Sequence, residues 1–514
     1  METVQDGGSA PSDLSSLGGP SIQWYVAPMS TVRRSLAFSF AEKYGSYALS
    51  LVGTAIISRL LTPKDFGIFA VGMAVVMLID VFRDFGVGNY LVQEKQITDQ
   101  HVRAAFTVTL ALSCMCALGL WLGTEAIVAF YNEPDLRRLV PVFAANFLLV
   151  SFSMPSLSLL RRDMAFDAIA AINLLATLVN LGVVVALALL GYGFMSLGWA
   201  TLATSLTRTI AANAFRPCFW AYRVTLQEWR KLASFGTYST ATAVINVFHD
   251  QLPQLVIGRA LGLTSAGLFS RAVTLCQLPD RLVISALNPV VLPALSERVR
   301  REINLKPAYL LALSYMSALQ WPCLILLALL AEPVVLVLLG EQWLEVAPLV
   351  RIMAFGSLAM FPAFMTYPTL VALGRVRDTL SMSLISLPPS ILLILLASPF
   401  GLRAVAATQL VNAPLQVFVA VSFIRRRIGM SWREIASSIR GSILVALCTA
   451  ACPAVVIAML GGFSFEIPMS AVALAVLGAA AGWLLGLFLV NHPLLGELRN
   501  GMRFVSQRLS RRQT

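Results

Sequence analysis

Long apolar runs, separated by short breaks rich in charge, glycine or proline, dominate the chain from about residue 36 to about residue 490. Each run approaches the roughly 20 residues that an α-helix needs to cross a bilayer. The pattern therefore predicts an all-α integral membrane protein with about 14 transmembrane helices. The predicted spans begin near residues 36, 66, 104, 138, 167, 194, 233, 267, 307, 346, 379, 404, 441 and 470.

The overall composition agrees with this interpretation. The chain is 58% hydrophobic and only 12% charged, with a mean hydropathy of +0.77. A water-soluble domain could not keep so much apolar surface away from solvent. Residues 1–30 differ, because they are rich in Gly, Ser and Pro and begin without the basic segment and apolar core of a secretory signal. We expect them to form a disordered cytoplasmic tail.

The basic residues indicate an orientation in the membrane. The formal net charge is +12, and Lys and Arg accumulate on alternate connections, such as residues 298–301 and 425–427. Such connections are cytoplasmic in membrane proteins, which predicts a multi-pass protein of the bacterial inner membrane with both termini in the cytoplasm. Since topology accounts for the charge, and no basic face with interleaved aromatic residues is present, we expect no nucleic-acid partner.

An internal repeat divides the chain. Residues 59–69 align with residues 259–269 at an offset of 200, and Asp80 aligns with Asp280. Six predicted spans separate the two copies, so both enter the membrane in the same direction, as in transporters with parallel repeats. The predicted domains are a six-helix bundle in 31–230, a second six-helix bundle in 231–430, two additional transmembrane helices in 431–495 and a basic cytoplasmic tail in 496–514.

Several predicted spans carry ionisable side chains. A charge near the bilayer centre costs about 2.5–3.5 kcal/mol, so each should face water, a partner or a substrate. These side chains are concentrated in spans 1, 2, 7 and 8, the equivalent pairs of the two repeats. We therefore expect these four helices to surround one polar cavity. The residues are Glu42, Lys43, Asp80, Arg83, Asp84, His249, Asp250, Arg271, Asp280 and Arg281.

Two interpretations remain open for some of these residues. Asp80, Arg83 and Asp84 fall on one helical face, where they either line the cavity or form an ion pair that fixes helix packing. Arg59 and Arg259 lie near span ends and either reach the cavity or snorkel to the interface. His249 and Asp250 either carry a coupling proton or make a packed polar contact.

The sequence gives no sign of enzyme chemistry. The seven cysteines suggest no disulfide framework, and Cys114 and Cys116 would point in different directions on a helix, which argues against a metal or redox pair. We expect the cysteines to act as small buried hydrophobic residues. No Walker A, HExxH, GxSxG or zinc-ligand spacing is present. We therefore expect no cofactor, no metal and no catalytic residue.

Short motifs resemble a known family. Residues 59–70, followed by Asp-Phe-Gly-Val-Gly at 84–88, resemble the first two spans of Wzx-type polysaccharide-transport flippases. The resemblance extends through the second copy at 267–272 and the proline-rich segment at 288–293. It covers most of the chain.

This resemblance implies a fold, a substrate and partners. The fold is that of the multidrug/oligosaccharidyl-lipid/polysaccharide exporter (MOP) superfamily, similar to multidrug (MATE) transporters, with alternating access. The implied substrate is an undecaprenyl-diphosphate-linked oligosaccharide, flipped from the cytoplasmic to the periplasmic leaflet for exopolysaccharide or lipopolysaccharide biosynthesis. Besides the bilayer, the implied partners are a polysaccharide polymerase and chain-length or export proteins.

A diphosphate needs cationic partners inside the membrane, because charge-assisted hydrogen bonds offset its desolvation. Arg83, Arg271 and Arg281 are the primary candidates. The full predicted substrate-binding set is Arg83, Arg271, Arg281, Lys43, Arg59 and Arg259, and the predicted coupling or ion-pair set is Glu42, Asp80, Asp84, His249, Asp250 and Asp280.

Two alternative functions remain open. A multidrug antiporter of the same fold should have a cavity dominated by carboxylates and apolar walls. A membrane polysaccharide polymerase or ligase would be an enzyme and would need a catalytic site on a sizeable external loop, whereas the predicted external connections are short.

Overall fold

The computed structural model describes residues 47–94, 97–225, 229–281, 297–301, 303–460 and 468–497, together with Gly45, Leu295 and Arg499. Within these residues every regular element is a helix. Ten of the helices in this part of the chain are long and apolar enough to cross a membrane, by length and composition. The predicted all-α membrane class is confirmed, whereas the total of fourteen spans stays a prediction.

We group the helices by the predicted division into two bundles, here called lobes, and a terminal pair, a division that stays a prediction. The first lobe contains α1 (Tyr47–Leu60), α2 (Pro63–Asp84), α3 (Val87–Gln93), α4 (Asp99–Leu122), α5 (Thr124–Tyr131), α6 (Leu136–Arg162), α7 (Phe166–Leu189) and α8 (Met195–Phe215). The second lobe contains α9 (Trp229–Ala260), α10 (Leu263–Cys276), α11 (Lys306–Leu329), α12 (Ala331–Leu338), α13 (Val346–Ser357), α14 (Phe361–Ala372), α15 (Val376–Ala397), α16 (Leu402–Ala407) and α17 (Gln409–Ile428). The terminal pair is α18 (Trp432–Met459) and α19 (Met469–Leu489).

Helix caps explain where two of these helices begin. Thr62 and Asp65 form a capping box at the start of α2, with Pro63 in the first turn. Ser431 and Glu434 form another at the start of α18. Because of this cap, α18 begins at Trp432, ahead of the start near residue 441 that its apolar run predicts. A polar first turn can thus precede the apolar part of a span.

Each lobe packs around its own central helices. In the first lobe α6 contacts α2, α4 and α8. In the second lobe α13 contacts α10, α11 and α17, and its Val346, Ala347, Val350 and Ala354 are fully buried. The lobes meet where α2 lies against α9 and α10.

Two glycines let the backbones of the two lobes approach closely. A Cβ atom at Gly67 would lie 1.7 Å from the carbonyl oxygen of Leu263, and one at Gly267 would lie 2.0 Å from the carbonyl oxygen of Pro63. Gly67 and Gly267 are 200 positions apart, and so are Pro63 and Leu263. The sequence repeat therefore appears in the structure as a reciprocal backbone contact, with a local two-fold relation between α2 and α10.

The terminal pair also packs through glycines. Cβ atoms at Gly478 and Gly482 of α19 would lie 2.0 Å from the Cys452 sulfur and 2.2 Å from the Cys448 carbonyl oxygen of α18. Small residues at this spacing let two membrane helices approach closely. Helix α18 in turn packs against α11 of the second lobe.

All seven cysteines are free, and three of them are buried as predicted while Cys448 and Cys452 are half-buried. Cys116, Cys218 and Cys276 are buried, as expected for small hydrophobic residues, but Cys114 and Cys323 are exposed. Exposure on a membrane-spanning helix is compatible with an apolar side chain, because such a surface faces lipid as well as water.

Candidate functional site

A set of contacts between the lobes closes one end of their interface. The carbonyl oxygen of Ser58 accepts hydrogen bonds from Gln342 Nε2 and Trp343 Nε1, both at 2.6 Å. Gln342 Nε2 also donates to the carbonyl oxygen of Leu61 at 3.2 Å. Together with the glycine crossing, these contacts form what we call the interlobe seal. It consists of Ser58, Arg59, Phe66 and Gly67 from the first lobe and Arg259, Gly267, Arg271, Gln342 and Trp343 from the second.

Arg59 and Arg259 both belong to this seal. Arg59 Nη2 donates to the carbonyl oxygen of Val337 in α12, at 2.9 Å. The Arg259 guanidinium lies 5.4 Å from the ring centroid of Phe130 in α5. Each arginine therefore reaches a short helix of the opposite lobe. The structure places this repeat-related pair in contacts between the lobes. A role of either arginine in the cavity or at the membrane interface stays a prediction.

Arg271 is half-buried, and its guanidinium lies near two aromatic rings. Its guanidinium carbon lies 3.5 Å from the ring centroid of Phe66, across the lobe interface, and 5.9 Å from that of Trp343. Phe66 is 5% exposed and Trp343 is 0% exposed. Arg271 Nε is buried without a hydrogen-bond partner. Within the described residues no carboxylate forms an ion pair with it.

Acidic residues line a cavity between the lobes. This interlobe cavity lies between α2 and α9 and has a volume of about 360 Å³. Asp80 and Asp84 of α2 and Asp250 of α9 line it. These carboxylates come from both lobes, and Asp250 is widely exposed, with 72% of its side chain accessible. The cavity can therefore attract a cation between the lobes.

Arg83 is not among the residues that line this cavity. Its Nε donates to Asp80 Oδ1 at 2.6 Å, and its side chain is 9% exposed whereas that of Asp80 is 43% exposed. The pairing agrees with the ion-pair interpretation of the i, i+3 spacing. Asp80 thus has one oxygen tied to a buried arginine while its side chain opens on the cavity.

A second cavity lies inside the second lobe. It has a volume of about 390 Å³ and is lined by His249, Asp250 and Asp280 among others. His249 Nε2 lies 3.1 Å from Gln416 Nε2, and its Nδ1 lies 3.6 Å from Asp250 Oδ1. Gln320 Nε2 donates to Asp280 Oδ1. Since Asp250 lines both cavities, the two are neighbours.

Arg281 lies in a third place. Its Nη2 donates to Gln277 Oε1 at 2.9 Å. The side chain lines a small gap of about 30 Å³ between α1 and α10, together with Tyr47 and Ser50 of α1. Arg281 is exposed and therefore accessible to a ligand approaching this gap.

The structure thus brings Asp80, Asp84 and Asp250 together at one cavity. The three candidate arginines lie apart from one another. Arg271 and Arg281 are ten residues apart, a rise of roughly 15 Å along a helix, and none of the three cavities described above is lined by two of the three arginines. A single cavity walled by Arg83, Arg271 and Arg281 does not match the described residues. Glu42, Lys43 and the segment 288–293 lie outside them. Whether these side chains bind substrate stays a prediction.

Sequence reasoning missed the partners of the charged residues. Phe66 and Trp343 lie near the Arg271 guanidinium, while Gln320 and Gln416 contact Asp280 and His249. Neutral residues give no charge signal along an apolar span. One signal was available for Phe66, because the aligned position of the other repeat holds a small alanine.

Comparison with known proteins identifies the family. The family described as polysaccharide biosynthesis protein matches residues 56–348. The succinoglycan biosynthesis transport protein ExoT of Rhizobium meliloti is 28% identical over 345 residues, which cover 67% of this chain and 70% of that protein. The lipopolysaccharide biosynthesis protein WzxC of Escherichia coli is 22% identical over 365 residues, covering 65% and 74%.

Solved structures show the same fold. The lipid II flippase MurJ in an inward closed conformation has a TM-score of 0.74 at 13% identity, covering 89% of this chain and 99% of MurJ. An inward-facing multidrug resistance MATE family transporter of the MOP superfamily has a TM-score of 0.61 at 16% identity, covering 75% and 94%. The predicted MOP-type architecture is therefore confirmed, and these relatives are transporters and flippases, not enzymes. The predicted resemblance to polysaccharide-transport flippases is also confirmed, because the match spans more than half of the chain: this chain belongs to the polysaccharide biosynthesis protein family.

Proposed function

We propose that this protein is a flippase that moves undecaprenyl-diphosphate-linked oligosaccharides from the cytoplasmic to the periplasmic leaflet of a bacterial inner membrane. The observation that carries this proposal is the family match over residues 56–348. This range contains both copies of the repeat and the whole interlobe seal. The proposal adds the lipid-linked substrate, the direction and alternating access to what the family membership establishes.

The seal and the interlobe cavity support an alternating-access cycle. The seal joins the lobes at the ends of α2 and α10 where residues 59–67 and 259–267 meet, and the charge pattern assigns this end to the periplasm. The cavity at Asp80, Asp84 and Asp250 lies further along α2, towards the predicted cytoplasmic end. In our proposal substrate enters on the cytoplasmic side, and the seal opens to release it.

The charges divide into two roles in this proposal. Carboxylates repel a diphosphate, so we assign Asp80, Asp84 and Asp250 to a coupling cation. Cationic groups suit the diphosphate, and exposed Arg281 is the most accessible of the three candidate arginines. Neutralisation of Asp80 by the coupling cation would weaken the hydrogen bond between Asp80 and Arg83, and the Arg83 guanidinium would then be available to bind the diphosphate.

One observation favours a second candidate function. The residues that line the interlobe cavity include three carboxylates and no arginine or lysine within the described part of the chain. Such a cavity suits an organic cation, as expected for a multidrug antiporter of the same fold.

Loss of the protein distinguishes the two functions. In a strain that lacks the chain, we expect lipid-linked oligosaccharide to accumulate in the cytoplasmic leaflet and surface polysaccharide to be lost, with unchanged resistance to cationic drugs. Plasmid-borne wild-type chain should restore the polymer. Normal polysaccharide together with increased drug sensitivity would reject the flippase and support the antiporter.

A further inference from the structure

The two repeats differ at the positions that bring an aromatic ring to the Arg271 guanidinium. At the offset of 200, Phe66 corresponds to Ala266, and Arg271 corresponds to Val71. One of the two equivalent contacts across the crossing therefore joins a ring to a cation, whereas the other would join alanine to valine. The glycine contact at Gly67 keeps the symmetry of the repeat. Close packing at this crossing thus does not require an aromatic residue and an arginine.

The cost of this arginine must be offset by its surroundings. The Arg271 side chain is half-buried with its Nε shielded from solvent, and a cation removed from water is unfavourable unless it has a partner. Within the described residues Arg271 has no ion pair, and its Nε has no hydrogen-bond partner. The face of Phe66, at 3.5 Å, is the nearest ring to the guanidinium, and Trp343 meets Phe66 edge-on at 5.3 Å. A cation–π contact is the interaction that this geometry offers.

This contact exists only while the lobes are together. Phe66 lies on α2 of the first lobe, and Arg271 lies on α10 of the second lobe. Any movement that separates the lobes at the seal removes the ring from the guanidinium. Arg271 is then exposed in the opened passage. Within the described part of the chain, no residue of its own lobe forms an ion pair with it that would satisfy its hydrogen-bond donors.

We infer that the Phe66 ring is a latch on Arg271, and that an anionic phosphate headgroup competes with this ring for the guanidinium. The ring covers the cation while the seal is closed. A phosphate takes its place when the seal opens, because planar guanidinium binds phosphate through paired, charge-assisted hydrogen bonds. Phe66 is a positioning residue in this scheme, since it acts through Arg271. The inference rests on the proposed function and deepens it.

Accessibility labelling tests the latch. Met77 lines the interlobe cavity and is 39% exposed, so a Met77→Cys chain carries a reporter beyond the seal. A membrane-impermeant maleimide applied to the predicted periplasmic side should label it only when the seal opens, and the unsubstituted chain gives the background of the native cysteines. We expect Phe66→Leu to raise this labelling about tenfold, which corresponds to about 1.4 kcal/mol.

A matched control separates the latch from general packing. Phe69 lies one turn further along α2 and packs against Phe143 of the same lobe, with ring centroids 5.8 Å apart. Phe69→Leu removes the same number of ring atoms without touching the seal, and should leave labelling at the level of the reporter chain. Equal labelling in the Phe66 and Phe69 variants would overturn the latch.

Inorganic diphosphate tests the competition. Compared with sodium chloride at equal ionic strength, diphosphate should increase labelling of the Met77→Cys chain, because it binds the state in which Arg271 is uncovered. The response should vanish in Arg271→Met and persist in reduced form in Arg271→Lys. A full response in Arg271→Met would reject the arginine as the anion site.

The latch and the proposed function can fail separately. If labelling behaves as expected while the strain lacking the chain shows normal lipid-linked oligosaccharide, the latch stands and the flippase is rejected. If that strain accumulates lipid-linked oligosaccharide while Phe66→Leu leaves labelling unchanged, the flippase stands and the latch is rejected.

Discussion

At the scale of single residues, the sequence indicated which charged residues share a face of one helix, but it did not indicate contacts between residues of different helices. The spacing of Asp80, Arg83 and Asp84 left an ion pair open as one of two interpretations, and in the structure Arg83 pairs with Asp80 at 2.6 Å. The environment of Arg271 depends on Phe66, which is 205 positions away and carries no charge. No local rule links two such residues. The charged positions could thus be found in the sequence, but their roles depend on neutral partners that it does not reveal.

Arg281 should be required for polysaccharide export. We expect Arg281→Ala to reduce surface polysaccharide by at least about tenfold, since loss of one charge-assisted hydrogen bond costs about 1.5–3 kcal/mol, and Arg281→Lys to restore part of it. Surface polymer and membrane abundance of the chain are measured together. Arg300→Ala is the control, because Arg300 is an exposed cation paired with Glu297. Full export by Arg281→Ala would remove this residue from the substrate path.

His492 should make stability fall at acidic pH. The ring is buried after the end of α19, where Nε2 hydrogen-bonds Ser314 Oγ at 2.9 Å and Nδ1 accepts from the Leu494 amide at 3.2 Å. Burial lowers the pKa of His492 below its usual 6.5. On acidification the unfolded chain therefore binds a proton more readily than the native ring does. The contribution of the neutral, buried ring to the free energy of unfolding is complete above pH 6.5 and decreases as the pH falls below it.

Thermal unfolding in detergent at several pH values measures this effect. The melting temperature should decrease more steeply on acidification in the wild-type chain than in His492→Gln, whose amide does not titrate. Parallel curves for the two chains would contradict the assignment.

At the scale of helices, the sequence predicted positions well and contacts incompletely. Most apolar runs begin near an observed helix start, such as residue 346 for α13. The start predicted near residue 441 was too late, because α18 begins with a capped polar turn ahead of its apolar run. The repeat predicted that α2 and α10 are equivalent. It did not predict that they cross each other, because periodicity within a helix does not specify its neighbour.

Alanine at the glycine crossing should destabilise the sealed conformation. A Cβ at Gly67 would collide with the carbonyl oxygen of Leu263 at 1.7 Å, and backbone cannot move aside as a flexible side chain can. Overpacking of this kind costs about 1–3 kcal/mol. We expect Gly67→Ala to lower the melting temperature and to increase labelling of the Met77→Cys reporter. Gly119→Ala on α4 is the control, because nothing lies within 4 Å of its added methyl group.

At the scale of the whole molecule, composition and periodicity were sufficient for the fold class, and the repeat was sufficient for its symmetry. The cavities were harder to predict, because each is defined by side chains from helices far apart in the chain. Asp250 illustrates this, since it lines both the interlobe cavity and the cavity of the second lobe. The expected single polar cavity combined Arg83, Arg271 and Arg281, which the structure places in three different surroundings.

A reversible cross-link between the lobes should stop transport. A Cβ at Gly258 of α9 would lie 2.5 Å from a methyl carbon of Val71 in α2, so cysteine side chains at both positions would be in contact across the lobes. We expect the oxidised Val71→Cys, Gly258→Cys chain to lose export, and reductant to restore it. Each single variant should be insensitive to oxidant. Export through the cross-linked chain would show that the lobes need not separate there.

The reciprocal glycine contact also has a consequence for ancestry. In a homodimer made of one repeat, a single glycine codon would specify both sides of the crossing, and any substitution would alter both at once. Fusion into one polypeptide gives the first half its own codons at positions 66 and 71, and the second half its own codons at positions 266 and 271. A phenylalanine could then arise in one half and an arginine in the other, a heterologous pair that a dimer of identical chains could carry only in two copies.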